Sequence, residues 1–475
     1  MITFQDLQAV GENERARMDF VHSAIAKHKA SDEYREAVVA KDYERHRNRT
    51  IYDYQKLLYT VTGKAVVDNF SANWKMASNF FHRFIVQETQ YLLGNGVTWK
   101  DDKTRNKVGK DFDTKLQKLA KAALVQGVSF GFFNLDHLEV FELVEFAPLY
   151  DEENGALMAG VRFWQVADNK PLRATLYEID GYTEYLWKDG EGQILKEKRP
   201  YILKTRTTQA DGTEIYDGDN YPSFPIVPLW ANPDKQSELV GIREQIDCYD
   251  IIKSGYANDV DDASQIYWVI QNAGGMDDVD LAKFIERLKT VKAAAVDDNG
   301  ARAEAHTVEV PYAGREAILA KLERDLYKDA MALDPETIAG GAITATQIKA
   351  AYEPLNSKCD EFEYCVHDFM DGLIIIAGLE GEEPTFSRSI VINKAEEIQT
   401  VLQSAQFLSS EYVTRKILAT LGDGDLADDM LVKMDKENQE RMTQMQNMAA
   451  AQNGNEPPEG EEDDEGPAET NENEA

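Results

Sequence analysis

Cysteine is scarce in this sequence, which has 475 residues but only Cys248, Cys359 and Cys365. Three cysteines without a CxxC pair exclude a disulfide framework, and such a chain suits the reducing interior of a cell. Long hydrophobic runs are also missing: the longest, Leu373 to Leu379, is far shorter than the ~20 residues that span a bilayer. The first residues lack the basic and apolar regions of a signal peptide. We therefore expect a soluble protein with no membrane contact.

Basic residues are the second scarce class. Lysine and arginine together number 51 against 85 aspartates and glutamates, which gives a net charge of -34. The last 23 residues hold ten acids and no base, and the rest of the chain still carries -24. A free nucleic-acid-binding protein usually has a basic surface. The charge of this chain instead repels DNA and anionic membranes, so we expect no tight phosphate binding over its whole surface.

The motifs of common enzymes are absent as well. The sequence has no GxxxxGK[ST] phosphate loop, no GxSxG nucleophile elbow and no HExxH zinc motif. Its seven histidines are not spaced as paired metal ligands on one helix. We therefore predict no catalytic residue, no metal and no cofactor. A two-metal nuclease site, which needs only a few carboxylates close together in space, remains an alternative that the sequence does not exclude.

The whole chain of 475 residues is long enough for two to four domains. Its first part has helical patterns. Residues 12–60 have the pattern of polar helices. Residues 66–93 predict a longer helix that ends at the glycines of 94–96, and residues 111–125 predict another. The candidate core positions of the longer helix are Phe70, Trp74, Phe80, Phe81, Ile85 and Leu92.

From Gly127 the pattern changes to that of strands, over roughly 90 residues. Four turn signals separate these strands: Asn154-Gly155, Asp180-Gly181, Asp189-Gly190 and Asp211-Gly212. The β-rich region ends in the stretch 221–234, where prolines prevent a helix.

A helical stretch from Ser237 to Asp262 has two different faces. Its apolar residues recur at helical spacing, so one face packs. The neighbouring stripe is small, polar and mostly acidic: Asp247, Asp250, Ser254, Asn258 and Asp261. A second helix is predicted at 313–331. Between the two, the sequence predicts a strand at 265–272, a helix at 277–290 and a strand at 301–310.

The stretch 333–347 is rich in glycine, built of small residues and uncharged after Glu336. Glycine permits changes of backbone conformation, which favours a loop that moves. The loop leads into a long helix whose apolar face runs from Ile348 to Ile376. Pro354 lies inside this helix and predicts a kink.

The C-terminal part predicts two more helices and a tail. Ser409 or Ser410 caps a helix that ends at Gly422, and a last helix begins at about Asp425. The last helix carries a row of apolar residues that we interpret as ordinary core packing, with a groove for a partner as the alternative: Leu426, Met430, Met434, Met442 and Met445. The acidic composition after Gly454 is typical of a disordered segment.

Four segments together resemble one family, the portal proteins of tailed bacteriophages, in the branch typical of long-tailed phages of Gram-positive hosts. They are Asn79–Trp99, Phe146–Trp164, Phe224–Asn272 and Gly340–Glu363. The third segment is the most specific. It combines a strand with the sequence Ile-Val-Pro (226–228), a helix with the pattern Asp-x-Tyr-Asp (247–250) and the tripeptide Ala-Asn-Asp (257–259). In the fourth, Thr344 stands near the place of the usual serine-glycine pair. The resemblance spans roughly residues 40–435, and it rests on the order and spacing of the segments.

The resemblance implies an α+β fold, the phage portal fold, with a β-rich wing, a two-helix stem that brackets a small α/β clip, a long kinked helix and an α-helical crown. The implied segments are an N-terminal helical arm (1–39), the wing (40–236), a stem helix (237–264), the clip (265–311), a second stem helix (312–333), the tunnel loop (334–346), the long kinked helix with a return to the wing (347–405), the crown (406–452) and the disordered acidic tail (453–475).

The resemblance also implies a function and partners. Portal proteins form a ring, typically of twelve subunits, at one vertex of the capsid, through which DNA is packaged and ejected. The implied partners are further copies of the chain, the terminase large subunit, the major capsid and scaffolding proteins, a head-completion adaptor, and double-stranded DNA that passes without sequence specificity. The protein would be a non-enzymatic part of the virion, assembled in the host cytoplasm.

For the polar stripe of the first stem helix, the resemblance implies a place on the channel wall. An acidic wall repels phosphate and does not hold the DNA that slides past it. The predicted channel residues are Asp247, Asp250, Ser254, Asn258 and Asp261. The alternative interpretation is a solvated helix face on an acidic protein.

For the glycine-rich stretch, the resemblance implies the tunnel loop at the narrowest point of the channel, where small side chains permit close approach to a duplex. The predicted tunnel-loop residues are Thr337, Ile338, Gly340, Gly341, Ala342, Ile343, Thr344 and Ala345. The alternative is an ordinary connection between two helices.

Two other classes of function remain. One is a virion assembly scaffold or adaptor that binds proteins without DNA contact, and the other is a metal-dependent enzyme. Formation of a closed ring would distinguish a portal from a scaffold or adaptor. A magnesium-dependent cleavage assay would test for the enzyme. A head-to-tail ring also requires two different contact faces on each subunit, which the sequence does not locate.

Overall fold

The computed structural model of the chain describes residues 2–59, 63–68, 73–101, 103–208, 214–263, 267–271, 302–306, 312–339, 344–388 and 394–453. The chain divides into two units, Met1–Ile390 and Val391–Ala475.

Helices of the described residues are numbered in chain order. They are α1 (Phe4–Val10), α2 (Glu14–Lys29), α3 (Asp32–Glu44), α4 (Arg49–Asp53), α5 (Phe80–Leu93), α6 (Thr104–Val108), α7 (Phe112–Gln126), α8 (Arg243–Ala263), α9 (Tyr312–Asp329), α10 (Ala345–Ala377), α11 (Lys394–Ser404), α12 (Ser410–Leu421) and α13 (Ala427–Asn453).

Strands of the described residues form antiparallel sheets. They are β1 (Leu57–Tyr59), β2 (Ala65–Val67), β3 (Val97–Thr98), β4 (Val128–Asn134), β5 (His137–Glu142), β6 (Phe146–Tyr150), β7 (Leu157–Trp164), β8 (Leu172–Glu178), β9 (Gly181–Lys188), β10 (Glu191–Arg199), β11 (Ile202–Thr208), β12 (Glu214–Asp219), β13 (Ile226–Trp230), β14 (Tyr267–Gln271), β15 (Arg302–His306) and β16 (Thr385–Phe386). Their orders are β10-β9-β8-β7-β6, β13-β4-β5, and the pairs β1-β2, β11-β12, β14-β15 and β16-β3.

The largest core lies among α5, α7, α10 and the three-stranded sheet. Leu116 and Leu119, which recur at helical spacing on α7, are fully buried in it. The helix ends at Gly127, whose positive φ of 84° a side chain rarely adopts. At Gly131 of β4, an added Cβ would lie 2.6 Å from the ring of Phe369. The missing side chain therefore lets α10 pack directly on the sheet.

The five-stranded sheet is a meander that forms most of the predicted β-rich region. Gly155, Asp189 and Gly190 all have positive φ in its turns, as the sequence signals predict. Helices α1 and α2 cover one face, where Val21 packs in a cluster with Leu176. The α+β class is confirmed.

One predicted helix is shorter than expected. The helix predicted at 66–93 begins at Phe80, and residues 73–79 before it have no regular secondary structure. The prediction of Trp74 as a core residue is wrong, since the side chain is 63% exposed. Phe70 lies outside the described residues.

The first stem helix also begins later than predicted. It starts at Arg243, because the chain turns at Gly241, whose φ is 92°. Leu239 and Ile242 are nevertheless buried in the core. Farther along, α10 continues on both sides of Pro354. The kink there stays a prediction.

Some predicted features lie outside the described residues. They are the Asp211-Gly212 turn, the clip helix at 277–290 and the acidic tail 454–475. The two clip strands are described and pair antiparallel, with Tyr267 opposite His306 and Gln271 opposite Arg302. The segment boundaries implied by the family resemblance stay predictions.

The unit 391–475 contains α11, α12 and α13. The hydroxyl of Ser409 accepts a hydrogen bond from the backbone N–H of Tyr412, which caps α12 as predicted. The helix ends at Gly422, whose φ is 100°. Arg415 of α12 and Asp428 of α13 form an ion pair at 2.8 Å.

Candidate functional site

Helices α8 and α9, the predicted stem helices, pack against each other in opposite directions. Near the start of α8, Gln245 donates a hydrogen bond to Asp329 at the end of α9. Near the end of α8, Asp259 pairs with Arg315 at the start of α9. The rings of Tyr256 and Tyr312 meet edge to face at 5.8 Å. The predicted helix pair that brackets the clip strands is thus present.

The polar stripe of α8 binds the backbone of residues 73–79, which we call the strap. The N–H of Trp74 donates to Asn258 Oδ1 at 2.6 Å, that of Met76 to Ser254 Oγ at 3.0 Å, and that of Ser78 to Asp250 Oδ1 at 2.8 Å. Asn258, Ser254 and Asp250, which we call the ladder, therefore hold three alternate amides of the strap.

The match of the two spacings explains this arrangement. Two residues of an extended chain advance by about 6.6 Å, and four residues of a helix advance by about 6.0 Å. Side chains four residues apart on α8 can therefore meet every second amide of a chain that runs in the opposite direction. Buried amides need an acceptor, and the ladder supplies the acceptors that a neighbouring strand would supply in a sheet.

The start of the stripe holds α3 and α4 to the stem. Asp247 accepts a hydrogen bond from the hydroxyl of Tyr43 and another from Thr50 Oγ1 at 2.7 Å. Asp250 accepts a second bond, from Asn48 Nδ2 at 2.5 Å. These contacts join the stem to residues about 200 positions earlier in the chain.

Burial determines the ionisation of Asp250. The side chain is fully buried, and burial raises the pKa of its carboxyl above the ordinary value, while the bonds from Asn48 and Ser78 oppose this shift. The nearby charge of Asp247 raises the pKa further. The two groups that contact Asp250, the side-chain amide of Asn48 and the backbone N–H of Ser78, are both hydrogen-bond donors. Asp250 therefore accepts both bonds.

These contacts cover three of the five predicted channel residues, and the lining of the channel stays a prediction. Asp250, Ser254 and Asn258 are buried under the strap and do not face open solvent. Asp247 is mostly covered by α3 and α4, whereas Asp261 is exposed and accepts a bond from the indole N–H of Trp74 at 3.3 Å. The sequence contained one signal for this outcome. Serine and asparagine within the stripe are typical of side chains that bind backbone groups.

A buried ionic cluster, which we call the joint, was missed by the sequence analysis. Lys358 Nζ of α10 lies 2.7 Å from Glu238 Oε2 and 2.9 Å from Glu88 Oε2 of α5. It also donates to the carbonyl of Ala330 at 3.3 Å. Because Glu238 precedes α8 and Ala330 follows α9, the joint connects the base of both stem helices to α5 and to the long helix.

The charges of the joint depend on each other. Burial raises the pKa of Glu88 to about 7, although Lys358 acts in the opposite direction. Glu238 and Glu361 raise it further. For Lys358, burial lowers the pKa, but the two carboxylates outweigh it and the net shift is upward. Lys358 is therefore charged, and the raised pKa of Glu88 lies near neutral pH.

The ends of the predicted tunnel loop are fixed. Thr337 Oγ1 donates to the carbonyl of Asp334 at 2.6 Å, and Ile338 packs against the cluster that contains Tyr352. Thr344 caps α10 through reciprocal bonds with Gln347, and Ala345 is the first residue of the helix. This cap gives a physical reason for threonine at position 344. The predicted loop residues Gly340, Gly341, Ala342 and Ile343 lie outside the described residues.

Candidate metal clusters and candidate membrane spans are both absent among the described residues. No group of three or more His, Cys, Asp or Glu side chains among them could hold a metal ion. Within the same residues, no helix is long and apolar enough to cross a membrane.

Comparison with known proteins gives a consistent result. Residues 27–449 match a family model described as "Phage portal protein, SPP1 Gp6-like". The chain is 24% identical to the portal protein of Clostridium phage phiCD119 over 379 residues, which is 73% of this chain and 81% of the relative. It is 26% identical to the portal protein of Bacillus phage SPP1 over 335 residues, or 65% of this chain and 63% of the relative.

A solved structure is similar over a comparable length. A chain from the neck of a native GTA particle covers 72% of this chain and 89% of its own length, with 11% identity and a TM-score of 0.41. The family assignment does not use this structural similarity, because the TM-score is below 0.5. It rests on the match of the sequence to the family model.

Proposed function

Because the chain belongs to the SPP1 Gp6-like family of phage portal proteins, we propose that its copies form a closed ring, typically of twelve subunits, at one vertex of the phage head. The ring surrounds a channel through which double-stranded DNA is packaged and later ejected. The observation that carries this proposal is the match of 27–449 to the family model, which includes both stem helices.

The stem pair suits a channel wall for a physical reason. The strap contributes backbone hydrogen bonds to α8, and α9 packs against α8 through Tyr256 and Tyr312. A wall built of three hydrogen-bonded and packed layers resists bending more than a single helix does. In this proposal the exposed acid Asp261, and not the covered ladder, repels the phosphates of passing DNA.

The other parts have roles at the two ends of the channel. The clip strands β14 and β15 dock the terminase large subunit during packaging and the head-completion adaptor afterwards. The major capsid and scaffolding proteins surround the ring. The protein acts as a structural part of the virion and not as an enzyme, and its ring assembles in the host cytoplasm.

The loop between Ile338 and Thr344 approaches the DNA most closely. Its ends are fixed by the turn at Asp334 and by the cap of α10. We predict that replacing Gly340 and Gly341 with valine leaves rings intact but lowers DNA packaging at least tenfold. Packaging by the double variant at the wild-type rate would contradict the role of this loop.

Electron microscopy and native mass spectrometry of the purified chain test the main proposal. We expect rings with a central hole wide enough for duplex DNA, either for the chain alone or after addition of capsid and scaffolding proteins. The alternative, a scaffold or adaptor without DNA contact, predicts no ring under either condition. A cleavage assay with linear DNA and magnesium tests for enzyme activity, and we expect intact DNA.

A further inference from the structure

The unit 391–475 buries few of its described apolar side chains. Val413 and Ala427 are buried, but ten large apolar side chains are at least 40% exposed. These are Leu402, Phe407, Leu408, Tyr412, Leu421, Leu426, Met430, Val432, Met442 and Met445. At about 200 Å² of surface for each large side chain, they expose roughly 1000 Å². A standard interface buries about 800 Å² on each partner, and a little over half of that area is apolar, so the apolar surface of the whole unit matches the apolar part of about two such faces.

One part of this surface is the overhang of the last helix. Helix α12 has 12 residues and α13 has 27, or about 18 and 40 Å. Thr414, in the second turn of α12, contacts Met434 Sδ at 3.6 Å. Because α12 begins at Ser410, one turn earlier, α13 extends beyond it from about residue 439. The prediction of core packing is wrong for Met442 and Met445, which lie on this overhang and are exposed.

A second part lies at the corner between α11 and α12. Phe407, in the turn Ala405–Phe407, is 82% exposed. Leu408 and Tyr412 beside it are also exposed. The overhang residues Met442 and Met445 form the methionine face, and Phe407, Leu408 and Tyr412 form the aromatic corner. Thioether sulfur packs favourably against aromatic rings, and methionine adapts to irregular surfaces.

We propose that the methionine face of one subunit packs against the aromatic corner of the next. This inference rests on the proposed ring. A head-to-tail ring requires two different faces on each subunit, and each is covered once when the ring closes. The unit offers two such faces of complementary chemistry, and every copy of the chain carries both. A second copy of this chain therefore covers both faces without any other partner.

Two full-length variants test the contact by adding charge. Met442→Glu with Met445→Glu disables the methionine face, and Phe407→Glu with Tyr412→Glu disables the aromatic corner. The matched controls add the same charge at exposed glutamines, with Gln439→Glu and Gln444→Glu on α13 and Gln403→Glu and Gln406→Glu near the corner. In native mass spectrometry we expect at least a tenfold loss of rings for each disabled variant and none for the controls.

Mixing the two disabled variants tests which faces meet. In an equal mixture, the intact corner of the first variant still fits the intact methionine face of the second. Growth then stops, because the remaining faces are disabled. With one variant labelled with ¹⁵N, we expect a 1:1 heterodimer that neither variant forms alone. Rings from either variant, or no heterodimer in the mixture, would overturn the proposed contact.

A crosslinking measurement covers the case in which a substitution disturbs the helices, which circular dichroism would reveal. Benzoylphenylalanine at position 407 of the otherwise native chain should photocrosslink to residues 442–445 of a second copy, as identified in mixed-isotope rings. Crosslinks to other regions, or within one copy, would count against the contact. Absence of wild-type rings would count against the proposed function, whereas rings formed by both wild type and disabled variants would overturn the contact alone.

Discussion

Asp250 and Glu88 are two buried carboxylates with different surroundings. Asp250 accepts hydrogen bonds from the backbone N–H of Ser78 and the amide of Asn48. Glu88 faces the ammonium of Lys358 at 2.9 Å. Burial raises the pKa of both carboxyls. The comparison indicates that the ladder needs an acceptor of the right shape, whereas the joint needs a balance of charge. Substitutions that remove charge but keep shape should therefore affect the joint more than the ladder.

Lys358→Met should have the largest effect. It leaves the buried Glu88 beside the partly buried Glu238 without a cation, and breaking a buried ion pair in this way costs about 3–5 kcal/mol. We expect a loss of this size in the free energy of unfolding, measured by urea denaturation at pH 8. Lys349→Met removes an exposed lysine from the same helix and serves as the control. Equal stability of the two variants would show that the joint does not stabilise the fold.

The pH dependence of stability should give the next largest effect. The pKa of Glu88 is about 7 in the folded chain, above its ordinary value of 4.5, so the folded state holds this proton more tightly than the unfolded state. The resulting stabilisation is complete below pH 4.5 and is lost as the pH rises through 7.

Glu88→Gln removes this titration. Between pH 5 and 8, the free energy of unfolding of the wild type should fall by up to about 3 kcal/mol more than that of the variant. Denaturation at a series of pH values measures both slopes. Parallel slopes would mean that Glu88 stays ionised throughout this range, and would remove the contrast with Asp250.

Local patterns predicted much of the fold. Helix α7 was predicted nearly in full, because its apolar stripe and Gly127 lie within one short stretch. The strap was not, since an aromatic residue at helical spacing, Trp74, resembled core. Its backbone instead binds side chains of α8 that lie 172 to 184 residues later. No window of the sequence around the strap contains that partner.

The joint, like the strap, could not be predicted from local sequence, although one of its residues stood out. Its three members come from distant parts of the chain, so the pairing could not be predicted from local periodicity. Glu88, however, falls on the apolar stripe of α5 between Ile85 and Leu92. A charged residue at a core position needs a buried partner. The sequence could therefore have marked Glu88, but not Lys358 as its cation.

Asp250→Ala should have a moderate effect on the strap. It leaves the N–H of Ser78 and the amide of Asn48 without their acceptor, at a cost of about 2 kcal/mol. Asp250→Asn keeps an oxygen for Ser78 but turns its own amide N–H toward the amide of Asn48, so it loses one of the two bonds and we expect a smaller loss of about 1 kcal/mol. Urea denaturation compares the two, with Glu244→Ala at an exposed position of α8 as the control. Equal losses for alanine and asparagine would mean that the ladder depends on charge after all.

Ser254→Ala should have the smallest effect and tests whether the ladder acts one bond at a time. It removes the acceptor of the Met76 N–H, at a cost of about 1 kcal/mol, while Asn258 and Asp250 still hold Trp74 and Ser78. Hydrogen exchange at Met76 should then quicken about fivefold, with little change at the other two amides, and Cys248→Ala on an exposed position of α8 should change none of them. Equal acceleration at all three amides would contradict independent bonds. It would mean that the strap leaves α8 as one unit, so that any single ladder side chain controls the whole contact.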